Sequence, residues 1–449
     1  MSNLQPRRAA VAAFIGTTIE WYDFYIYGLA AALVFGKVFF SKTLDPGIAT
    51  LLSFVTLWAG FAARPIGGII FGHLGDKIGR KTTLIITLIL MGLATMGIGL
   101  LPSYAQIGVW APVGLVVLRV IQGVAVGGEW GGAVLIASES APKRKSILYS
   151  AFAQQGSPTG NLLATVVFFA LSVLPTPQFM LWGWRVPFLL SIVLIVVGSI
   201  IRRSVEESPV FVRMHERRRD SSAPLGRLFR HHSGAVLRAA LIFVANNAAG
   251  YLLIAFFISH GQKALHLPAP QVLATCTLAA ASWLVFTLVG GLLADRIGRV
   301  RTFQLGYLLL AAWAVPMWFL IDSGSIALFL VAAVVLALPL GLSYGPQAAL
   351  YAEMFPAKVR YSGVSVGYAL GSILGGAFAA TIAQWIIGST GKSWLIGVYL
   401  VGLCVVSIAA VSRGRDPMGI DLEVAEDDPS SRSWTGAGVA RTAAAGGSR

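Results

Sequence analysis

The sequence predicts an all-α integral membrane protein of twelve spanning helices, arranged as two homologous six-helix bundles. Three observations predict it. Of 449 residues, 56% are hydrophobic and 12% charged, against about 25% charged in an ordinary soluble domain. Apolar runs long enough to cross a bilayer, about 20 residues at 1.5 Å rise each, recur twelve times in two sets of six. Two loop motifs also repeat between the sets at nearly one offset. The formal charge of +15 does not indicate nucleic acid, because the bases are not spread over one soluble surface. Of 34 Lys and Arg, 27 fall in loops assigned to one side of the membrane, two lie inside helices, and five sit on or near the other side. That is the positive-inside distribution.

In chain order, the apolar runs cover roughly 11–35, 50–71, 83–102, 108–137, 148–173 and 186–201. The second set covers 237–259, 270–294, 303–321, 326–351, 363–388 and 392–412. The expected organisation is a cytoplasmic N-terminus (1–10), a first bundle (11–201), a basic linker (202–236), a second bundle (237–412) and a tail (413–449). The linker, with RMHERRRDSS at its centre, reads as a solvated inner-leaflet loop. The tail is acidic after Asp416, then rich in Ser, Gly and Ala, and is expected to be disordered. The bases at 7–8, 77–81, 143–145, 296–301, 358–360 and 413 put those loops and both termini in the cytoplasm. Lys37, Lys42, Lys263 and Lys392, with Arg185 at a helix start, mark the outer side. Trp110, Trp182, Trp184 and Trp394 fall at the outer ends, where interfacial aromatics belong. The N-terminus lacks the shape of a cleavable signal.

The repeat is carried by GHLGDKIGRK (72–81) and GLLADRIGRVR (291–301), with Asp76 and Asp295 219 positions apart. A second echo follows the fourth span of each half: ESAPKR from Glu139 and EMFPAKVR from Glu353, 214 apart. Paired repeats in a membrane chain point to a transporter with its site between the halves. Opposite charges in matching places predict a charge latch. Asp76, Lys77 and Arg80 would meet Glu139, and Asp295, Arg296 and Arg299 would meet Glu353, when the protein faces outward.

The most informative stretch is GTTIEWYDFYIYG (16–28), which sets Glu20 and Asp23 near the middle of the first span. A charge at that depth costs at least ~2.5–3.5 kcal/mol, so it survives facing a protein interior or a water-filled cavity. Three positions apart, the two acids share a helix face. They are the proton-coupling candidates, Asp23 preferred, because no histidine lies deep in a span. Arg119, near mid-depth of span four with Gln122 one turn on, offers the planar fork that binds a carboxylate. Arg64 on span two and Glu129 on span four fall in the inner third, where a structural or gating ion pair is expected. Tyr22 on span one, Asn161 on span five, Asn246, Asn247 and Tyr251 on span seven, and Tyr344 and Gln347 on span ten complete the substrate-binding candidates. Gly123, Gly127 and Gly131, with Gly128 and Gly132, predict close helix packing.

These motifs carry a resemblance. G-x-x-x-D-(R/K)-x-G-R between spans two and three resembles the signature loop of the major facilitator superfamily, and LVVLRVIQGVAVGG (115–128) its R-x-x-Q-G element, placing Arg119 on the motif arginine. EWYDFYIYG, RPIGG (64–68), QGVAVGGEWGG (122–132), WGWRVPF (182–188) and EMFPAKVRYSG (353–363) are similar to the metabolite–proton symporter branch, whose members carry proline, betaine, citrate, oxoglutarate and shikimate. AALVFGKVFF (31–40) with ESAPK (139–143) resembles the shikimate-type members. GSPTG (156–160) partly resembles the Gly-Pro element of antiporters but departs from it at Ser157 and Asn161. The resemblance implies the major facilitator fold and proton-coupled uptake of a small organic acid such as shikimate across the plasma (inner) membrane by a functional monomer. Symport of a zwitterion such as proline or glycine betaine is the alternative, and a non-transporting sensor is the alternative of another class.

No enzyme is expected. GSTGKS (388–393) ends like a phosphate-binding loop but has Ile386 in place of the first glycine, and the sequence holds no metal cluster, nucleophile elbow or dinucleotide fingerprint. No cofactor is implied. Cys276 and Cys404 lie in apolar spans as packed thiols. The partners are a small-molecule substrate, a proton and the lipid bilayer.

Overall fold

The computed structural model describes residues 5–44, 46–139, 146–207, 224–356 and 359–414. Among them are twelve long helices and no strand. These are α1 (Gln5–Ala30, continued by a π-helical turn at Ala31–Phe35 and by Gly36–Val38), α2 (Pro46–Ile78), α3 (Arg80–Leu100), α4 (Trp110–Glu139), α5 (Ser146–Leu171) and α6 (Val186–Arg203). The second set is α7 (Ser233–Tyr251, then a π-helical turn at Leu252–Phe256 and Phe257–Lys263), α8 (Ala269–Ile297), α9 (Arg299–Ala314 and Pro316–Ile321), α10 (Ile326–Tyr344, then Gln347–Met354), α11 (Arg360–Ser372, a π-helical turn at Ile373–Ala377, then Phe378–Thr390) and α12 (Trp394–Ser412). Nine of them are apolar and long enough to span a bilayer by composition alone. The other three are α1, which carries Glu20 and Asp23, α5, which carries Gln154, Gln155 and Asn161, and α9, which breaks ahead of Pro316.

Burial sorts centre from rim. The apolar segment of α7 is 94% buried and that of α6 only 28%. The exposed face of α6 is Ile192, Val193, Val196, Val197 and Ile200, a surface that belongs against hydrocarbon. The halves meet twice in the same way. α2 packs on α11, and its repeat partner α8 packs on α5, the partner of α11. Within the first half glycine sets the packing distance: a Cβ at Gly160 would come 2.6 Å from the backbone nitrogen of Tyr22, so only glycine lets α5 lie against α1.

The loop repeat is a repeat of backbone geometry. Gly79 and Gly298 have φ of 102° and 96°, values that glycine adopts freely and other residues do not. Each ends one helix and turns the chain straight into the next. The following residues, Arg80 and Arg299, are both buried. Glu207, just past α6, caps α3: its carboxylate accepts the Arg80 N–H at 3.0 Å and the Lys81 N–H at 3.1 Å, a favourable place for a negative charge. The centre of the linker, the loop at 140–145 and the tail beyond residue 414 lie outside the described residues. The arginine at the expected start of the linker, Arg202, is in the last turn of α6 and buried.

Of the four tryptophans expected at an interface, Trp110, Trp182 and Trp394 are exposed. Trp184 is not. It is fully buried in a cluster with Phe35, Phe39 and Phe188, because the chain there turns inward to start α6. Both cysteines are buried and free. Residues 388–393 form the end of α11 and its left-handed cap at Gly391.

Candidate functional site

The centre of the molecule is built on α1, and its two carboxylates part company. Asp23 faces α3 and α6: Thr95 Oγ1 donates to one oxygen at 2.8 Å and Ser191 Oγ to the other at 2.6 Å. Behind Thr95 the chain of donors continues. Gln122 Nε2 donates to Thr95 Oγ1 at 2.8 Å, and Arg119 donates to Gln122 Oε1. Asp23 is therefore the acceptor end of a relay that begins at Arg119. Glu20 lies within electrostatic reach of Glu129, Arg64 and Arg202 on its own half and of Tyr251, Tyr344 and Tyr368 on the other. Both its oxygens are buried without a hydrogen-bond partner, a rare condition in folded proteins.

Arg119 and Arg64 flank one ring. Their guanidinium carbons stand 4.5 and 4.7 Å from the centroid of Phe24, and Arg119 also lies 4.1 Å from Tyr27. Such cation–π contacts hold a cation in a dry place at modest gain. They leave hydrogen bonds unmade: Nε and Nη2 of Arg119 and Nη1 of Arg64 are buried without acceptors. The expected pairing of Arg64 with Glu129 is not found. Glu129 is bonded by Arg202 and Thr87, and Arg202 fits there because Gly16 leaves the room: a Cβ at that position would collide with its guanidinium. Arg64 thus belongs to the centre, and Glu129 to a buried staple joining α3, α4 and α6.

The second half supplies neutral groups. A cavity of about 10 Å³ is lined by Trp21, Tyr25 and Ser157 from the first half and by Asn246, Asn247, Tyr251, Trp283 and Tyr344 from the second. It holds no more than about one water. Phe24 and Phe61 meet Tyr251 edge-on, with centroids 5.3 and 5.1 Å apart, so an aromatic partition stands between this cavity and the arginines. Asn246 Nδ2 donates to Leu340 O at 3.0 Å and to Ser343 Oγ at 2.6 Å, and Asn247 Nδ2 reaches Gly371 O at 3.4 Å. The Oδ1 of Asn161 has no partner, and the hydroxyls of Tyr251 and Tyr344 lie near Arg64 and near Ser157 and Tyr368 without closing a well-formed hydrogen bond. Gln347 Oε1 accepts from Gln154 Nε2 at 3.3 Å.

Tyr22 is not at the site: its hydroxyl donates to Pro187 O at 3.0 Å, toward α6. Tyr25 takes the place expected of it, sharing a 3.0 Å hydrogen bond with Ser157. Gln154 also escapes sequence reading. It accepts from Trp130 Nε1 and donates to Tyr344 O, both at 2.9 Å, and so ties the halves. Below it Trp130 stacks on Tyr368 at 3.9 Å. The signal for both was present: AQQGSPTG sets amides beside packing glycines, and Trp21 and Tyr25 are four apart on α1.

The basic end is closed by one of the expected pairs and by a contact across the halves. Arg299 pairs with Glu353 at 2.6 Å, both buried, while Asp295 and Arg296 stay exposed. Asp76 reaches across the halves and accepts from Ser362 Oγ at 2.8 Å, beside Tyr361 Oη donating to Gly128 O at 2.8 Å. Lys77 is exposed, Arg80 is buried, and the side chain of Glu139 lies outside the described residues. The start of α11 fills the space between α2 and α4, so Asp76 meets a hydroxyl of the other half.

Residues 13–380 match the family model described as Major Facilitator Superfamily. The chain is 41% identical to the inner membrane metabolite transport protein YhjE of Escherichia coli K12, over 90% of this chain and 93% of that one. It is 38% identical to the shikimate transporter of the same organism, over 93% and 96%. Its fold is similar to that of XylE of E. coli, described as a proton:xylose symporter bound to 6-bromo-6-deoxy-D-glucose, with a TM-score of 0.80 at 17% identity over 94% and 98% of the two chains.

Proposed function

The chain belongs to the Major Facilitator Superfamily, a family of multi-pass membrane transporters and not of enzymes, and on that premise we propose that it takes up a small organic monoacid, of which shikimate is the first to test, together with one proton. The membrane is the cytoplasmic (inner) one, with both termini in the cytoplasm. The observation that carries this reading is the central charge set: two buried arginines with donor atoms to spare, one carboxylate fully bonded and one bare.

The charges give a coupling rule. Empty and deprotonated, Arg64 and Arg119 are balanced by Asp23 and Glu20. With a proton on Glu20 and a carboxylate on the arginines, the centre is balanced again. Loaded with only one of the two, it holds one unmatched charge, which costs several kcal/mol to enclose. The halves therefore close over both or neither. Glu20 is preferred to Asp23 as the proton carrier because Asp23 already accepts two hydroxyl hydrogen bonds, and a bare buried carboxylate is costly unless it is neutral. A zwitterion with one proton would leave a guanidinium unmatched, so the charge set favours the acid over proline or betaine. Asn246, Asn247, Tyr251, Tyr344, Gln347 and Asn161 supply the hydrogen bonds that would choose among acids.

The test is uptake into proteoliposomes with the outside acidified. Shikimate should accumulate, with protons entering alongside. Accumulation of glycine betaine without uptake of any net-anionic acid would replace the reading with the zwitterion one. For orientation, cysteines at Ser221 and Ser389 in whole cells should be blocked and reactive, respectively, toward an impermeant reagent; the reverse pattern would invert the topology.

A further inference from the structure

Five bases lie at the end of the molecule away from the basic loops: Lys37, Lys42, Arg185, Lys263 and Lys392. Arg185 is used within the fold. Its Nη1 donates to Gly99 O at 2.6 Å and Leu101 O at 2.8 Å, closing the end of α3. Three of the other four, Lys37, Lys42 and Lys263, line a single cavity of about 630 Å³ between the ends of α1 and α7 and the segment that leads to α2. The described lining contains no acid; Asp45, which follows the lining residue Leu44, lies outside the described residues. Lys37 and Lys263 come from different halves and are within electrostatic reach of each other. Gln262, beside Lys263 in the lining, has a buried Nε2 with no acceptor.

Like charges gathered round a cavity raise each other's energy, and membrane proteins keep lysines off this side. Their convergence calls for an anion. We propose that this vestibule is a second binding site, a low-affinity capture site for a small carboxylate on its way to the centre. The lysines supply the charge, and rotation of the Gln262 side chain would bring its unpaired Nε2 to the ligand as a directional donor. Lysine suits the task because it is a hydrated point charge on a flexible stem, which attracts without gripping. A cavity of this size accommodates a small organic acid, and a cleft whose described charges are all positive raises the encounter rate of an anion by about tenfold or more. Because Lys263 belongs to one half and Lys37 and Lys42 to the other, a bound anion also removes the repulsion that opposes closure of this end. The ligand class rests on the function proposed above; the electropositive site does not.

The test uses the full chain in nanodiscs with Ser41→Cys as reporter. Ser41 lines the cavity, and the two native cysteines are buried. Its rates of reaction with the anionic sulfonatoethyl and the cationic trimethylammonioethyl methanethiosulfonates are compared at low salt, together with protection by shikimate, by citrate and by glycine betaine. The anionic reagent should gain at least about tenfold over its ratio on a free thiol. The carboxylates, and not betaine, should slow the reaction beyond what matched chloride does. Both effects should vanish in Lys37→Gln/Lys42→Gln/Lys263→Gln and return in the corresponding arginine triple. Equal ratios in the lysine and glutamine backgrounds would overturn the site, and preference for the anionic reagent without carboxylate protection would reduce it to a field with no binding. Since none of these readings requires transport, failure of shikimate uptake would count against the proposed function alone.

Discussion

The two halves of this transporter share a plan and divide the chemistry. Among the described residues, the membrane-depth charges belong to the first half: Glu20, Asp23, Arg64, Arg119, Glu129 and Arg202. The second half brings amides, hydroxyls and aromatic rings to the same centre and keeps its buried charges near the ends, as in Arg299 with Glu353. The difference teaches that a duplicated scaffold does not require duplicated function. On the function proposed above, one half handles protons and negative charge, and the other recognises shape and hydroxyl pattern.

The sharpest way to break this comparison is through the staple that holds the charged half. Arg202→Met leaves Glu129 buried without its cation and should cost about 3–5 kcal/mol, read as a fall in the melting temperature of the purified protein. The double variant with Glu129→Gln should recover much of it. An unchanged melting temperature in the single variant would mean the pair carries no structural weight.

Next come the two acids. Glu20→Gln should abolish accumulation driven by a pH gradient and keep exchange of labelled for unlabelled substrate, and that exchange should not vary with pH. Asp23→Asn should also lose net uptake, but its exchange should decline as the medium is acidified, because its centre balances a bound carboxylate only while Glu20 is ionised. The opposite pair of pH profiles would transfer the proton to Asp23.

A smaller effect tests the neutral half. Tyr251→Phe removes one hydroxyl and should raise KM about fivefold, the worth of roughly one hydrogen bond, with the proton dependence of uptake unchanged. A shift in proton dependence would show that the division between halves is not clean. The smallest expected effect is at the basic end. Asp76→Asn weakens one charge-assisted bond to Ser362 at a partly exposed site, worth about 0–1 kcal/mol, and should modestly increase labelling of a cysteine introduced on the α11 face there.

Much of this was legible in the residues. The twelve helices, the repeat and the mid-membrane acids follow from hydropathy and charge placement, which act locally. Side-chain partnerships were less legible, because they depend on which helix faces which. Helical spacing put Glu20 and Asp23 on one face, yet a rotation of about 60° between those positions is enough to send one to Ser191 and the other toward Arg64. Depth counting placed Arg64 below the centre, but a long side chain folded over Phe24 reaches it. Arg202 read as linker because a basic residue at a helix end is usually solvated; the space that Gly16 leaves for it exists only in three dimensions.

The arrangement of two guanidiniums around one phenylalanine has an electrical corollary. On the proposed reading, the centre is neutral both when it crosses empty and when it crosses with proton and acid aboard, so neither half of the cycle carries net charge through the membrane. A membrane potential does about 2.3 kcal/mol of work per elementary charge per 100 mV, and here it would have nothing to act on. Such a carrier is driven by acidity alone: a potassium diffusion potential imposed on vesicles should leave its uptake rate where it was, and a cell that holds its voltage but loses its pH gradient should lose the supply.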